Sequence, residues 1–134
     1  MAASEKIIKS ILGYVQEDGK FPEIIIRRIP ELKIQPQQIF QAYLENPFAK
    51  EPTEYLVNNS KEITLDDNVW ELFIYRIKRN PNVSQRLMDM FYHKDKNFYI
   101  QLMDKLLSLF GDNQLSEEET SNILYFLEEN KIWI

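Results

Sequence analysis

The stretch TLDDNVWELFIYRIKR, residues 64–79, decides the fold class. Its apolar residues recur at helical spacing and cover an unusually wide face. Carboxylates occupy its first turn and basic residues its last, which suits the helix dipole at both ends. A helix apolar over so wide a face contacts several neighbours. We therefore expect this helix, with Thr64 as its N-cap, to lie at the centre of the fold.

The chain on either side of this helix divides into further short segments with helical spacing. Proline, glycine or asparagine stands at most of their ends, where these residues start or stop helices. The isoleucine run at 24–26 also suits a strand, but no second strand is available to pair with it. We predict helices at 7–16, 22–29, 36–45 and about 52–57, then from Pro81, from Asp95 or Asn97 to Phe110, and from Ser116.

These segments predict an all-α fold: one domain over residues 1–134, built as a compact bundle of about eight short helices. Short turns favour antiparallel packing of neighbouring helices, which would resemble an α-solenoid, although no internal repeat is present. The apolar C-terminal residues 132–134 leave two alternatives open. Trp133 and Ile134 dock either in the core of the protein or in a partner.

The composition excludes several kinds of chemistry. The chain has no Cys, one His and three Gly, and it contains no Walker, dinucleotide-binding or nucleophile-elbow motif. Asp89 and His93 have the spacing of a metal or acid–base pair, but no Cys or second His can complete a metal site. We therefore predict no catalysis, no metal and no cofactor.

No apolar stretch approaches the roughly 20 residues that cross a bilayer, and the first apolar run is too short and too charged for a signal peptide. The absence of Cys fits a reducing compartment. We expect a cytoplasmic protein that does not enter a membrane.

The net charge of −5 is unevenly distributed. Residues 101–134 hold seven acidic and two basic side chains, whereas the rest of the chain is neutral. This asymmetry, with many aromatic residues, favours a non-catalytic protein-binding module of the adaptor, inhibitor or immunity type. The partner would be another protein, and the oligomeric state is left open. The candidate binding residues are a basic spot, Arg76, Arg79 and Arg86, and an acidic end, Glu117, Glu118 and Glu119.

An alternative interpretation is nucleic-acid binding. Residues 7–46 resemble a helix-turn-helix segment whose last helix is rich in glutamine, and glutamine can contact adenine edges. That helix has no Lys or Arg to bind phosphates, and the turn before it lacks the usual glycine. The residues in question are Gln37, Gln38 and Gln41 for bases, with Arg27, Arg28 and Lys33 for phosphates.

Overall fold

The computed structural model describes residues 6–7, 10, 12, 31, 33–46, 51–111 and 114–130. The regular structure of these residues is entirely helical: six α-helices and one 3-10 turn have defined bounds among them, residues 6–7, 10 and 12 are also helical, and no strand is present. The predicted class is therefore confirmed, but the predicted count of about eight is wrong for this part of the chain. Of the predicted helix 7–16, residues 7, 10 and 12 are described and are helical, whereas the predicted helix 22–29 lies outside the described residues.

The helices follow one another with short connections. Their bounds are α1 Pro36–Glu45, α2 Glu54–Asn58, the 3-10 turn Ser60–Glu62, α3 Asp67–Arg79, α4 Gln85–Lys94, α5 Phe98–Phe110 and α6 Glu117–Asn130.

Several helix ends lie where the sequence predicts them. Helix α1 has Pro36 at its first position, and α5 ends before Gly111. Helix α6 begins after Ser116, as predicted, and Ser116 and Glu119 form a reciprocal capping box there, with hydrogen bonds of 3.0 and 3.1 Å. Helix α4 begins later than predicted, because Ser84 rather than Pro81 provides its N-cap.

The N-cap of α3 is also different from the prediction. Asp66, not Thr64, accepts the cap hydrogen bond, from the N–H of Val69 at 2.8 Å. Both backbone polar groups of Thr64 instead bond to the side chain of Gln37 on α1. The Thr64 N–H donates to Gln37 Oε1 at 2.7 Å, and Gln37 Nε2 donates to the Thr64 carbonyl at 3.0 Å. Gln37 therefore joins α1 to the segment that leads into α3.

The substitution Gln37→Glu tests this connection. We expect it to lower the free energy of unfolding by about 1 kcal/mol, because a carboxylate can accept from the Thr64 N–H but cannot donate to its carbonyl. Gln41→Glu is the matched control, since it makes the same charge change on the same helix. Urea denaturation of both variants gives the measurement. Equal losses would show that the charge, and not the lost donor, is responsible.

Helix α3 lies at the centre of the fold, as its sequence predicts. It packs most extensively against α1 and α6, and both are distant from it in sequence. A solenoid is dominated instead by contacts between successive helices. The predicted pairing of neighbours accounts only for smaller contacts, such as those of α4 with α5 and of α5 with α6, because the two largest join α3 to α1 and to α6.

Stacked aromatic rings form the middle of the core. Phe73 of α3 stacks on Phe91 of α4 with ring centroids 4.6 Å apart, and Phe91 stacks on Phe98 of α5 at 4.8 Å. Trp70 covers Phe98 at 5.3 Å, and Phe40 of α1 meets Phe91 edge to face at 5.7 Å. Four helices thus meet in one aromatic cluster, which fixes the surfaces that they present outward.

Candidate protein-binding surface

The residues with a spacing suited to metal binding do not form a site. Asp89 accepts a hydrogen bond from Gln85 Nε2 at 3.0 Å, and His93 is exposed at the end of α4. Within the described part of the chain, no three acidic, His or Cys side chains come together as metal ligands. This pair is therefore part of the solvated surface of α4.

Arg76, predicted to lie in an exposed basic spot, is instead buried and only 2% exposed. Its Nη1 donates to the carbonyls of Tyr43 and Asn46, at 2.9 and 2.6 Å, and its guanidinium lies 4.6 Å from the centre of the Tyr43 ring. These carbonyls are at the C-terminal end of α1, where the last acceptors of a helix are incompletely satisfied within it, and the Tyr43 carbonyl also accepts from the Asn46 N–H at 3.3 Å. The prediction is wrong for Arg76, because its charge binds α1 and does not face a partner.

Burial shifts the pKa values of Tyr43 and Arg76. Burial raises the pKa of Tyr43 to about 12, although the nearby Arg76 charge acts to lower it. Burial also lowers the pKa of the Arg76 guanidinium, which the Tyr43 phenol partly offsets. The phenol therefore stays neutral near physiological pH, and Arg76 donates to backbone carbonyls rather than to a phenolate.

The other two basic residues of the predicted spot lie at the surface, on two different helices. Arg79 ends α3, with its guanidinium 4.8 Å from the centre of the Tyr75 ring. Arg86 on α4 pairs with Glu54 of α2, with Nη2 and Oε1 2.6 Å apart. Of these two residues of the predicted spot, Arg79 is exposed and Arg86 is already paired with Glu54.

The acidic residues of α6 differ among themselves. Glu119 bonds to Ser116 in the capping box, and its carboxylate is 4.0 Å from the Lys78 ammonium. The hydrogen bond from the Ser116 backbone is the main cause that lowers the pKa of Glu119. Glu117 and Glu118 are exposed. The basic end of α3 and the acidic start of α6 therefore meet at Lys78 and Glu119, and Glu117 and Glu118 remain directed to solvent.

The glutamine-rich helix α1 lies mainly in the core. Gln37 is bonded to Thr64, and the Oε1 of Gln38 accepts from the Gln35 N–H at 2.9 Å as part of the helix start. Gln41 is half-buried and Lys33 is exposed, while Arg27 and Arg28 lie outside the described residues. The buried residues of α1 include Ile39, Phe40, Ala42, Tyr43 and Leu44. A helix buried to this extent has little free surface that could enter a DNA groove.

Exposed hydrophobic side chains are concentrated on the last two helices. Of the seven large hydrophobic residues that are exposed in the described part of the chain, four lie on α5 and α6. Ile100 is 60% exposed and Leu107 is 49% exposed, and their spacing of seven positions, about two helical turns, places both on one side of α5. This face is not among the binding residues predicted from the sequence, although α5 carries a signal for it, because apolar residues occupy most of its circumference.

Helix α6 combines apolar and acidic groups on its outer side. Leu124 is 54% exposed and Tyr125 45%, in the middle of the helix. The outer face of α6, as we define it, has these two side chains and four exposed carboxylates at the two ends of the helix: Glu117, Glu118, Glu128 and Glu129. At 100° per residue these six positions cover an arc of about 140°. Helix α6 contains no Lys or Arg.

No helix among the described residues is long and apolar enough to cross a bilayer. Comparisons with family models, with curated proteins and with solved structures all found no match to this chain.

Proposed function

We propose that this protein is a non-catalytic binding module that contacts another protein through α5 and the outer face of α6. The observation that carries the proposal is the exposure of Ile100, Leu107, Leu124 and Tyr125. Single exposed hydrophobic residues are normal on a protein surface. Four of them on two consecutive helices favour this part of the surface as the site of contact with a partner.

The charge on α6 indicates the chemistry of that partner. Exposed carboxylates precede Leu124 and follow Tyr125 along α6, and they would repel an acidic surface and attract a basic one. The expected partner surface therefore has apolar residues at its centre and Lys or Arg around them. An adaptor, inhibitor or immunity-type protein that covers a basic site would present such a face, and the protein would act in the cytoplasm.

Site-specific cross-linking tests the location of the surface. A photo-reactive phenylalanine derivative replaces Leu124 or Leu107, and in a control protein it replaces Asn68, which is exposed on α3. In extracts of the organism that makes the protein, we expect one defined protein to cross-link from both helix positions and not from the control. Equal products from all three positions would contradict the proposal, as would cross-linking of nucleic acid.

Charge reversal then tests the role of the carboxylates on the isolated complex. We expect Glu117→Lys with Glu118→Lys to slow association about tenfold at low ionic strength, because exposed rim charges act mainly on the association rate. Glu62→Lys with Glu71→Lys, at exposed positions on the 3-10 turn and on α3, is the matched control because it makes the same charge change outside the proposed surface. Surface plasmon resonance at two salt concentrations gives the rates. Unchanged association would contradict the role of the acidic end, and tight duplex-DNA binding at about 0.15 M salt would favour the alternative function.

A further inference from the structure

A cleft lies between the connection from α3 to α4 and the last turns of α6. It has a volume of about 540 Å³, which falls within the range of small-ligand sites, roughly 300–1,000 Å³. Pro81 and Val83 contribute to one side, and Tyr125 to the other. Because Tyr125 also belongs to the outer face of α6, the cleft opens beside the surface proposed for the partner.

Two carboxylates line the cleft, from Glu51 and Glu129. The Ser84 hydroxyl donates to Glu51 Oε2 at 2.6 Å and also caps α4, so that Glu51 is held at the end of a well-packed helix. Glu129 follows Tyr125 by one helical turn and therefore lies on the same side of α6. None of the described residues that line the cleft is basic.

We propose that this cleft receives an arginine side chain of the protein partner, an inference that rests on the proposed function and specifies its chemistry. A guanidinium can stack on the Tyr125 ring while its N–H groups donate to a carboxylate. Lysine would supply a point charge without the planar stacking surface. The two carboxylates provide the opposite charge, and the walls of Pro81 and Val83 suit the aliphatic part of the arginine.

The probe for this site is N-acetyl-arginine amide, followed by ¹H–¹⁵N NMR on the whole chain. We expect saturable amide shifts at Ser84, Gln85 and Tyr125. N-acetyl-citrulline amide has nearly the same shape without the charge, and we expect it to bind at least about fivefold more weakly. Shifts of equal size and affinity with the two compounds would overturn the proposal, as would shifts that leave the cleft amides unmoved.

Two variants test whether the carboxylates that line the cleft bind the arginine amide. Glu129→Gln and Glu51→Gln remove one carboxylate each, and the amide oxygen in Glu51→Gln can still accept from Ser84. Each is expected to weaken binding of the arginine amide about fivefold or more. Glu128→Gln is the matched control, because it removes a neighbouring charge that does not line the cleft. An equal effect of Glu128→Gln would show only general attraction to an acidic helix and would overturn the proposal.

The titration needs no partner, so its outcome is independent of the cross-linking experiment. A partner that cross-links at Leu124, together with a cleft that does not respond to arginine, would leave the proposed function in place and refute the arginine site. A responsive cleft without any cross-linked protein would refute the proposed function instead.

Discussion

Replacing Phe73 with alanine is expected to lower the free energy of unfolding by about 3–5 kcal/mol. Phe73 is fully buried in the middle of α3, where its ring stacks on Phe91 at 4.6 Å and lies 5.8 Å from Phe98. Truncation would leave a cavity that these rings cannot fill without changing their stacking. Because α3 packs against both α1 and α6, a shift of the helix would disturb contacts on two sides.

Chemical denaturation of the purified variant measures this loss. Glu71→Ala is the control on the same helix, since Glu71 is exposed and alanine favours helix, and we expect it to change stability by less than about 0.5 kcal/mol. A loss below about 1 kcal/mol for Phe73→Ala would contradict the central position of this ring, because buried Phe→Ala changes cost several times more.

Arg76→Met should lower the free energy of unfolding by about 2–4 kcal/mol. Methionine fills similar space, but it leaves the carbonyls of Tyr43 and Asn46 without the donor that now serves both. The loss of a charged donor is partly offset, because methionine avoids the cost of burying a guanidinium. The net effect is destabilising, since both carbonyls lose a hydrogen bond from a charged donor at a largely buried site.

Arg79→Met is the matched control, three residues later on the same helix and exposed to solvent. It removes the same charge and adds the same side chain, yet we expect a change within about 0.5 kcal/mol. Denaturation of both variants under one set of conditions supplies the comparison. Similar losses for the two would show that Arg76 contributes through net charge and not through its bonds to α1.

Helix identity and several helix ends follow from the sequence alone. Pro36 and the Ser116–Glu119 capping box mark starts by local backbone and side-chain geometry, which needs no tertiary partner. Periodicity likewise predicts the central position of α3, because the apolar face is a property of spacing. The charge asymmetry that motivates the proposed binding surface is also legible in the sequence.

The role of Arg76 cannot be predicted from its neighbours in the sequence. Its position, three residues after Phe73 and one before Ile77, places it on the buried face, while its charge predicts a solvent-exposed side chain. Only the approach of the C-terminal carbonyls of α1 resolves this conflict, because they supply acceptors for a buried guanidinium.

Long-range partners decided the remaining features. Gln37 bonds to the backbone of Thr64, which is 27 residues away, so neighbouring residues do not encode the role of this glutamine. The cap bond that Asp66 accepts from the Val69 N–H is a local one by comparison. The cleft beside Tyr125 likewise requires α6 to return to the segment before α4. Sequence thus determined the helices and their charges, through spacing and local hydrogen bonds. Tertiary packing alone decided which polar groups it buries and which apolar groups it exposes.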